Sequence, residues 1–129
     1  MITKGIKELC AEAEAEIETI PAAEAVKLMK DENVQLVDIR DVRELWREGA
    51  IPGALHAPRG MLEFWVDPDS PYHKPIFRTD KKLVLFCASG LRSVLPARTL
   101  QDMGMDNVLG MEGGFTEWKM QDLPVDYLT

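Results

Sequence analysis

The chain has 129 residues, 46% of them apolar and 29% charged, which suits one globular domain with a core of its own. Its net charge of −7 argues against nucleic acid or an anionic membrane as the main partner, while a local arginine cluster could still hold a small anion. No apolar run is long enough to span a membrane, and the acidic N-terminal segment has the character of neither a signal nor a transit peptide. The two cysteines, Cys10 and Cys87, are far apart and form no CxxC pair, and the two histidines are scattered. This usage points to a cytoplasmic protein with reduced thiols, without a disulfide framework or a metal site.

In chain order, residues 3–18 carry Ile6, Leu9, Cys10, Ala13 and Ile17 at helical spacing, with glutamates between them. This predicts an N-terminal helical extension over residues 1–18, with Cys10 as a small buried hydrophobe. A second helix follows Pro21, with Ala22, Ala25, Val26 and Met29 on one face. "VQLVDI" (34–39) predicts a strand. "DVRELWREG" predicts a helix with a capping box, Asp41 three residues before Glu44, closed by Gly49, and its Trp46 reads as a core residue. A turn at Pro52-Gly53 precedes another short strand. Residues 58–80 hold four prolines and predict a structured connection with a short helix near Met61–Trp65.

"KKLVLF" (81–86) is a continuous apolar run, as in a strand covered on both faces. The helix expected after Arg92 turns Val94, Ala97, Leu100 and Met103 inward, with Pro96 in or near its first turn and Gly104 at its end. "NVLGM" predicts a strand, Gly113-Gly114 a turn, and "FTEWKMQ" a last helix with Trp118 in the core. Alternating strands and helices predict an α/β domain whose mainly parallel central sheet has helices on both faces.

"FCASGLRSV" (86–94) concentrates the chemistry. Cys87 falls at the carboxyl end of a parallel strand, where open α/β sheets bind ligands. Backbone N–H groups of Ala88, Ser89, Gly90, Leu91, Arg92 and Ser93 could converge beside a helix N-terminus, with Arg92 adding a full charge and a rigid donor fork. Such surroundings favour thiolate over thiol. A buried, inert cysteine is the alternative from this segment alone.

"CASGLRS" resembles the Cys-x-x-Gly-x-Arg-Ser loop of rhodanese-like sulfurtransferases, "LVDIRDVRELWREGAIPGALHAP" resembles that family's first signature, and "MEGGFTEWKMQDLPV" its C-terminal one. The three motifs occur in order, so residues 19–129 are expected to form a rhodanese-like domain. The resemblance implies a catalytic Cys87 that accepts sulfane sulfur from a small sulfur-containing anion such as thiosulfate. A persulfide would form, and its terminal sulfur would pass to cyanide or to a small or protein thiol, with no cofactor and no metal. The loop residues Ala88 to Ser93 would bind the donor. Ala88 stands where some thiosulfate-using members carry a basic residue, so thiosulfate is a serviceable assay donor rather than the natural one.

Two rivals exist. Cysteine-dependent phosphatases and arsenate reductases offer a similar cradle, but phosphatases of this kind place five residues between Cys and Arg, and only four separate Cys87 from Arg92. A non-catalytic rhodanese-like binding module would usually lack the cysteine. Outside the loop, Asp38 and Arg40 either brace it by hydrogen bonds or form a structural ion pair. Arg59 follows a strand expected beside the loop and either faces an anionic donor or pairs with Glu63. Trp65, Tyr72 and His73 are candidates for a wall over the site.

Overall fold

A computed structural model describes residues 1–127, apart from the side chain of Leu91. Five strands form one all-parallel sheet: β1 (Glu18–Ile20), β2 (Val34–Asp38), β3 (Leu55–His56), β4 (Lys82–Phe86) and β5 (Val108–Met111), in the spatial order β1-β5-β4-β2-β3. The helices are α1 (Ile6–Glu16), α2 (Ala22–Leu28), α3 (Val42–Glu48), α4 (Leu62–Val66), α5 (Leu91–Asp102) and α6 (Gly114–Met120). Short 3-10 turns at Arg59–Met61 and Pro75–Phe77 flank α4. Parallel neighbours need crossover connections, which explains why helices and irregular segments separate every pair of strands.

β4 is central and covered on both faces, so its apolar run does not alternate with polar residues. Leu83, Leu85 and Cys87 pack into one core with Cys10, Ala13 and Ile17 at the inner side of α1 and with Val94, Ala97 and Leu100 of α5. Val84 and Phe86 pack into the opposite core, with Ala22 and Ala25 of α2 and Phe115 and Trp118 of α6. The period-two pleat therefore turns Cys87 toward the α1–α5 layer. Burying a large apolar side chain contributes about 1.5–3 kcal/mol, and these two cores supply most of the drive to fold. Trp118 is fully buried because its one polar atom is satisfied: Nε1–H donates to the Pro124 carbonyl at 2.7 Å.

Several sequence expectations change. β1 lies where only a helix–helix join was read, and it pairs with β5 along Glu18–Leu109 to Ile20–Met111. α1 packs on α5 with its inner side in the shared core, while Ile6 and Leu9 remain exposed. Trp46 is not a core residue: Leu45 takes the inner position of the two-turn α3, and the next residue is rotated outward to 62% exposure. Met103 caps the end of α5 and is likewise exposed. α5 opens at Leu91 rather than after Arg92, so Pro96 lies inside the helix and withholds the N–H that Arg92's carbonyl would accept. Among the described residues, no helix is long and apolar enough to cross a membrane.

Candidate active site

Cys87 follows the last residue of β4 and is fully buried. The chain then turns through Ala88, Ser89 and Gly90 into α5. Gly90 adopts φ 95°, a left-handed conformation natural to glycine, and its N–H donates to Cys87 Sγ at 3.1 Å. A side chain at Gly90 would also press within 2.9 Å of the Gly113 backbone nitrogen. Ser93 is buried, and its hydroxyl donates to the Gly90 carbonyl at 3.1 Å, so it holds the loop's shape rather than facing the sulfur. Ala88 is half-buried and Ser89 exposed. Leu91 opens α5, and its side chain lies outside the described part of the molecule.

The loop is gripped from behind by α6. Phe115 N–H donates to the Cys87 carbonyl at 2.7 Å and Thr116 N–H to the Ala88 carbonyl at 2.8 Å. The first-turn N–H groups of a helix have no partner within it, so α6 spends two of them on the Cys87 loop. Gly113 and Gly114, at φ 74° and 58°, make the tight turn that brings α6 this close.

Asp38 and Arg40 are both 1% exposed and form a buried ion pair. Arg40 Nε and Nη2 donate to the carboxylate, at 3.0 and 2.7 Å for the shorter contacts. Nη2 also donates to the Gly49 carbonyl at 2.9 Å, and the guanidinium lies 4.1 Å from the centre of the Phe115 ring. The pair does not reach the loop by its own hydrogen bonds. Its contact with the Phe115 ring lies one step from the loop, because Phe115 N–H holds the Cys87 carbonyl.

Arg92 carries the loop's full charge, and the structure gives it a partner that the sequence did not reveal. Its Nη1 and Nη2 donate to Glu44 Oε2 and Oε1 at 3.0 and 2.7 Å, a two-point contact 48 positions apart in sequence. Glu44 Oε2 also accepts from Asp41 N–H at 2.9 Å, completing the expected capping box of α3. The Arg92 hydrogen bond holds the Glu44 carboxyl below its ordinary range, against partial burial and with help from the Asp41 N–H. Glu44 in turn raises the Arg92 guanidinium, with smaller contributions from the Cys87 sulfur. A carboxylate lowered in this way stabilises the fold fully above its ordinary range and loses that effect as pH falls through the lowered one. The pair is therefore intact at neutral pH, though its half-exposed arginine limits it to roughly 1 kcal/mol or less.

Arg92→Ala should slow sulfur transfer roughly tenfold, because it removes the cation and leaves Glu44 unpaired beside the loop. Single-turnover sulfur uptake measures the loss, and Arg92→Lys should recover part of the rate. An unchanged rate would assign the work to backbone dipoles alone.

Arg59 is elsewhere. β3, which precedes it, pairs with β2 and not with β4, so the strand expected beside the loop is one strand removed. Arg59 pairs with Glu63 and borders a groove with Leu9 and Ala13 of α1 and Leu95 and Arg98 of α5. Trp65, Tyr72 and His73 bind their own segment: His73 Nδ1 and Lys74 N–H both reach the Trp65 carbonyl, and Tyr72 meets Phe64 edge to face. A cavity of about 500 Å³ does adjoin the loop, lined by Ser89, Gly90 and Ser93 with Glu14, Thr19 and Glu112.

The rhodanese-like domain model matches residues 21–121, and the chain belongs to that family. A protein of Allochromatium vinosum named sulfurtransferase is 32% identical over 99 residues, covering 77% of this chain and 84% of that protein. A thiosulfate sulfurtransferase, GlpE, of Shewanella oneidensis is 30% identical over 93 residues, covering 72% and 83%. A solved structure from Rhodopseudomonas palustris, described as a possible tyrosine phosphatase, is 52% identical with a TM-score of 0.94, covering 98% of this chain and 97% of that one. The family and the names of these relatives support sulfur transfer as the general activity.

Proposed function

We propose that this chain transfers sulfane sulfur through a persulfide on Cys87. The observation that carries the reading is the Cys87 loop: a strand-end thiol with a backbone N–H on its sulfur, an arginine five positions on, and both of its first carbonyls held by α6. In the first step the Cys87 thiolate attacks the outer sulfur of a donor, a new S–S bond forms, and the donor's own sulfur bond breaks. With thiosulfate the leaving group is sulfite, which departs with the electron pair, and the charge stays as Cys87–S–S⁻. In the second step a nucleophile such as cyanide or a thiolate attacks the terminal sulfur and releases Cys87 as thiolate. Neither step needs a proton relay. What both need is a low-energy sulfur anion, which N–H donors supply.

Intact-mass spectrometry after incubation with a sulfane donor tests the reading. The chain should gain one sulfur atom, mapped to Cys87 and removed by cyanide or a reducing thiol. No gain with any donor, or a gain that persists in Cys87→Ser, would exclude it.

The description of the Rhodopseudomonas palustris structure keeps phosphatase as the second reading. Against it stands the loop length, one residue short of the phosphate-wrapping spacing, and the engagement of Arg92 with Glu44. Cys87-dependent release of p-nitrophenol from its phosphate would favour that rival instead.

A further inference from the structure

An arginine in an anion-handling loop is normally free to receive the anion, and here both arms of the fork are taken. Arg92 donates from Nη1 and Nη2 to the two oxygens of one carboxylate, that of Glu44. Glu44 is itself held in place, because Oε2 accepts the Asp41 N–H and its side chain is only 18% exposed. Of the two cavities that adjoin the loop, the one at Ser89 and Gly90 is lined by Glu14 and Glu112, with Thr19 Oγ1 donating to Glu112 at 2.9 Å, and no lysine or arginine lines it. The one at Ala88 holds Arg40, Arg47 and Lys119, each already paired with a carboxylate. The chain as a whole carries a net charge of −7. A dianion such as thiosulfate must therefore share the loop's cation with a pre-positioned carboxylate of the same sign.

Building on the sulfur-transfer reading, we infer that Glu44 is a specificity-determining residue. It occupies the fork of Arg92 and so selects against dianionic donors, in favour of persulfides whose leaving group is a single thiolate. With such a donor the Cys87 thiolate attacks the terminal sulfur of R–S–SH. The new bond gives Cys87–S–SH, the old S–S bond breaks, and R–S⁻ leaves with the electron pair. No oxidant or reductant enters. The departing charge is one instead of two, so little is lost by leaving Arg92 engaged. Glu44 touches no reacting atom and acts through Arg92.

The test compares thiosulfate with cysteine persulfide as donors to the wild-type chain, Glu44→Gln and Glu44→Asp, reading the rate of sulfur uptake on Cys87 per donor concentration. Glutamine serves a capping box as glutamate does, so α3 keeps its N-terminus while the competing charge is gone. The wild-type chain should prefer the persulfide. Glu44→Gln should raise the thiosulfate-to-persulfide ratio up to about fivefold, the scale of a half-exposed ion pair. Glu44→Asp restores the charge and should return the ratio close to wild type. A ratio is unaffected by any loss of folded protein, so a Glu44 that served only the fold would lower both rates and leave the ratio unchanged. That result, with sulfur still arriving on Cys87, overturns the inference alone. Failure of the wild-type chain to take sulfur from either donor overturns the sulfur-transfer reading and the inference with it.

Discussion

Gly114→Ala should disable sulfur uptake by about a hundredfold and cost roughly 2–5 kcal/mol of stability. Two physical terms add at this position. The backbone stands at φ 58°, where a side chain costs about 1–2 kcal/mol. The new Cβ would also lie 2.5 Å from the Cys87 carbonyl oxygen and 2.7 Å from that of Ala88, and neither oxygen can yield without breaking its hydrogen bond to α6. Either α6 moves out or the Cys87 loop moves in, and both displace Cys87. Urea unfolding and single-turnover sulfur uptake are the measurements. Gly53→Ala is the comparison, because Gly53 has φ 77° but open space around its Cβ, so only the backbone term applies. If the two variants lose the same stability and both retain activity, the grip of α6 on the loop is not what the contacts imply.

Asp38→Asn should destabilise the protein by about 3–5 kcal/mol, since it leaves the Arg40 guanidinium buried without a compensating charge. Arg40 keeps the Gly49 carbonyl, the face of Phe115 and the more distant attraction of the Glu44 carboxylate as favourable surroundings. The double variant Asp38→Asn, Arg40→Met should recover part of the loss, because removing both charges also removes the burial penalty. Urea unfolding of the single and double variants measures the coupling directly. A single variant within about 1 kcal/mol of wild type would mean that water or a rearranged carbonyl replaces the carboxylate, contrary to its burial.

The parts of the site that are contiguous in sequence were legible there. Cys87, Gly90 and Arg92 lie within six residues, and their placement at a strand end, a positive-φ turn and a helix start was readable from that segment. The capping box of α3 was equally readable, because its donors and acceptors are three residues apart. What escaped depends on chain crossings. Glu44 meets Arg92 only because β2 and β4 are neighbours, so the loops leaving them share one end of the sheet. Arg59 was placed beside the loop on the assumption that sequential strands neighbour one another, whereas β2 intervenes. β1 is three residues long, too short for a period-two pattern to show between two helices. Trp46 illustrates a different limit: a two-turn helix gives so few residues that its buried side is fixed by what lies beneath it.

The pairing of β1 with β5 also dictates an order of assembly. Glu18 has no strand to join until Leu109 has been made, and the inner face of α1 has no α5 to cover while the ribosome is still translating the centre of the chain. The β2–β4 centre can close first, and the α1–β1 segment, although translated before it, is then among the last to find its place.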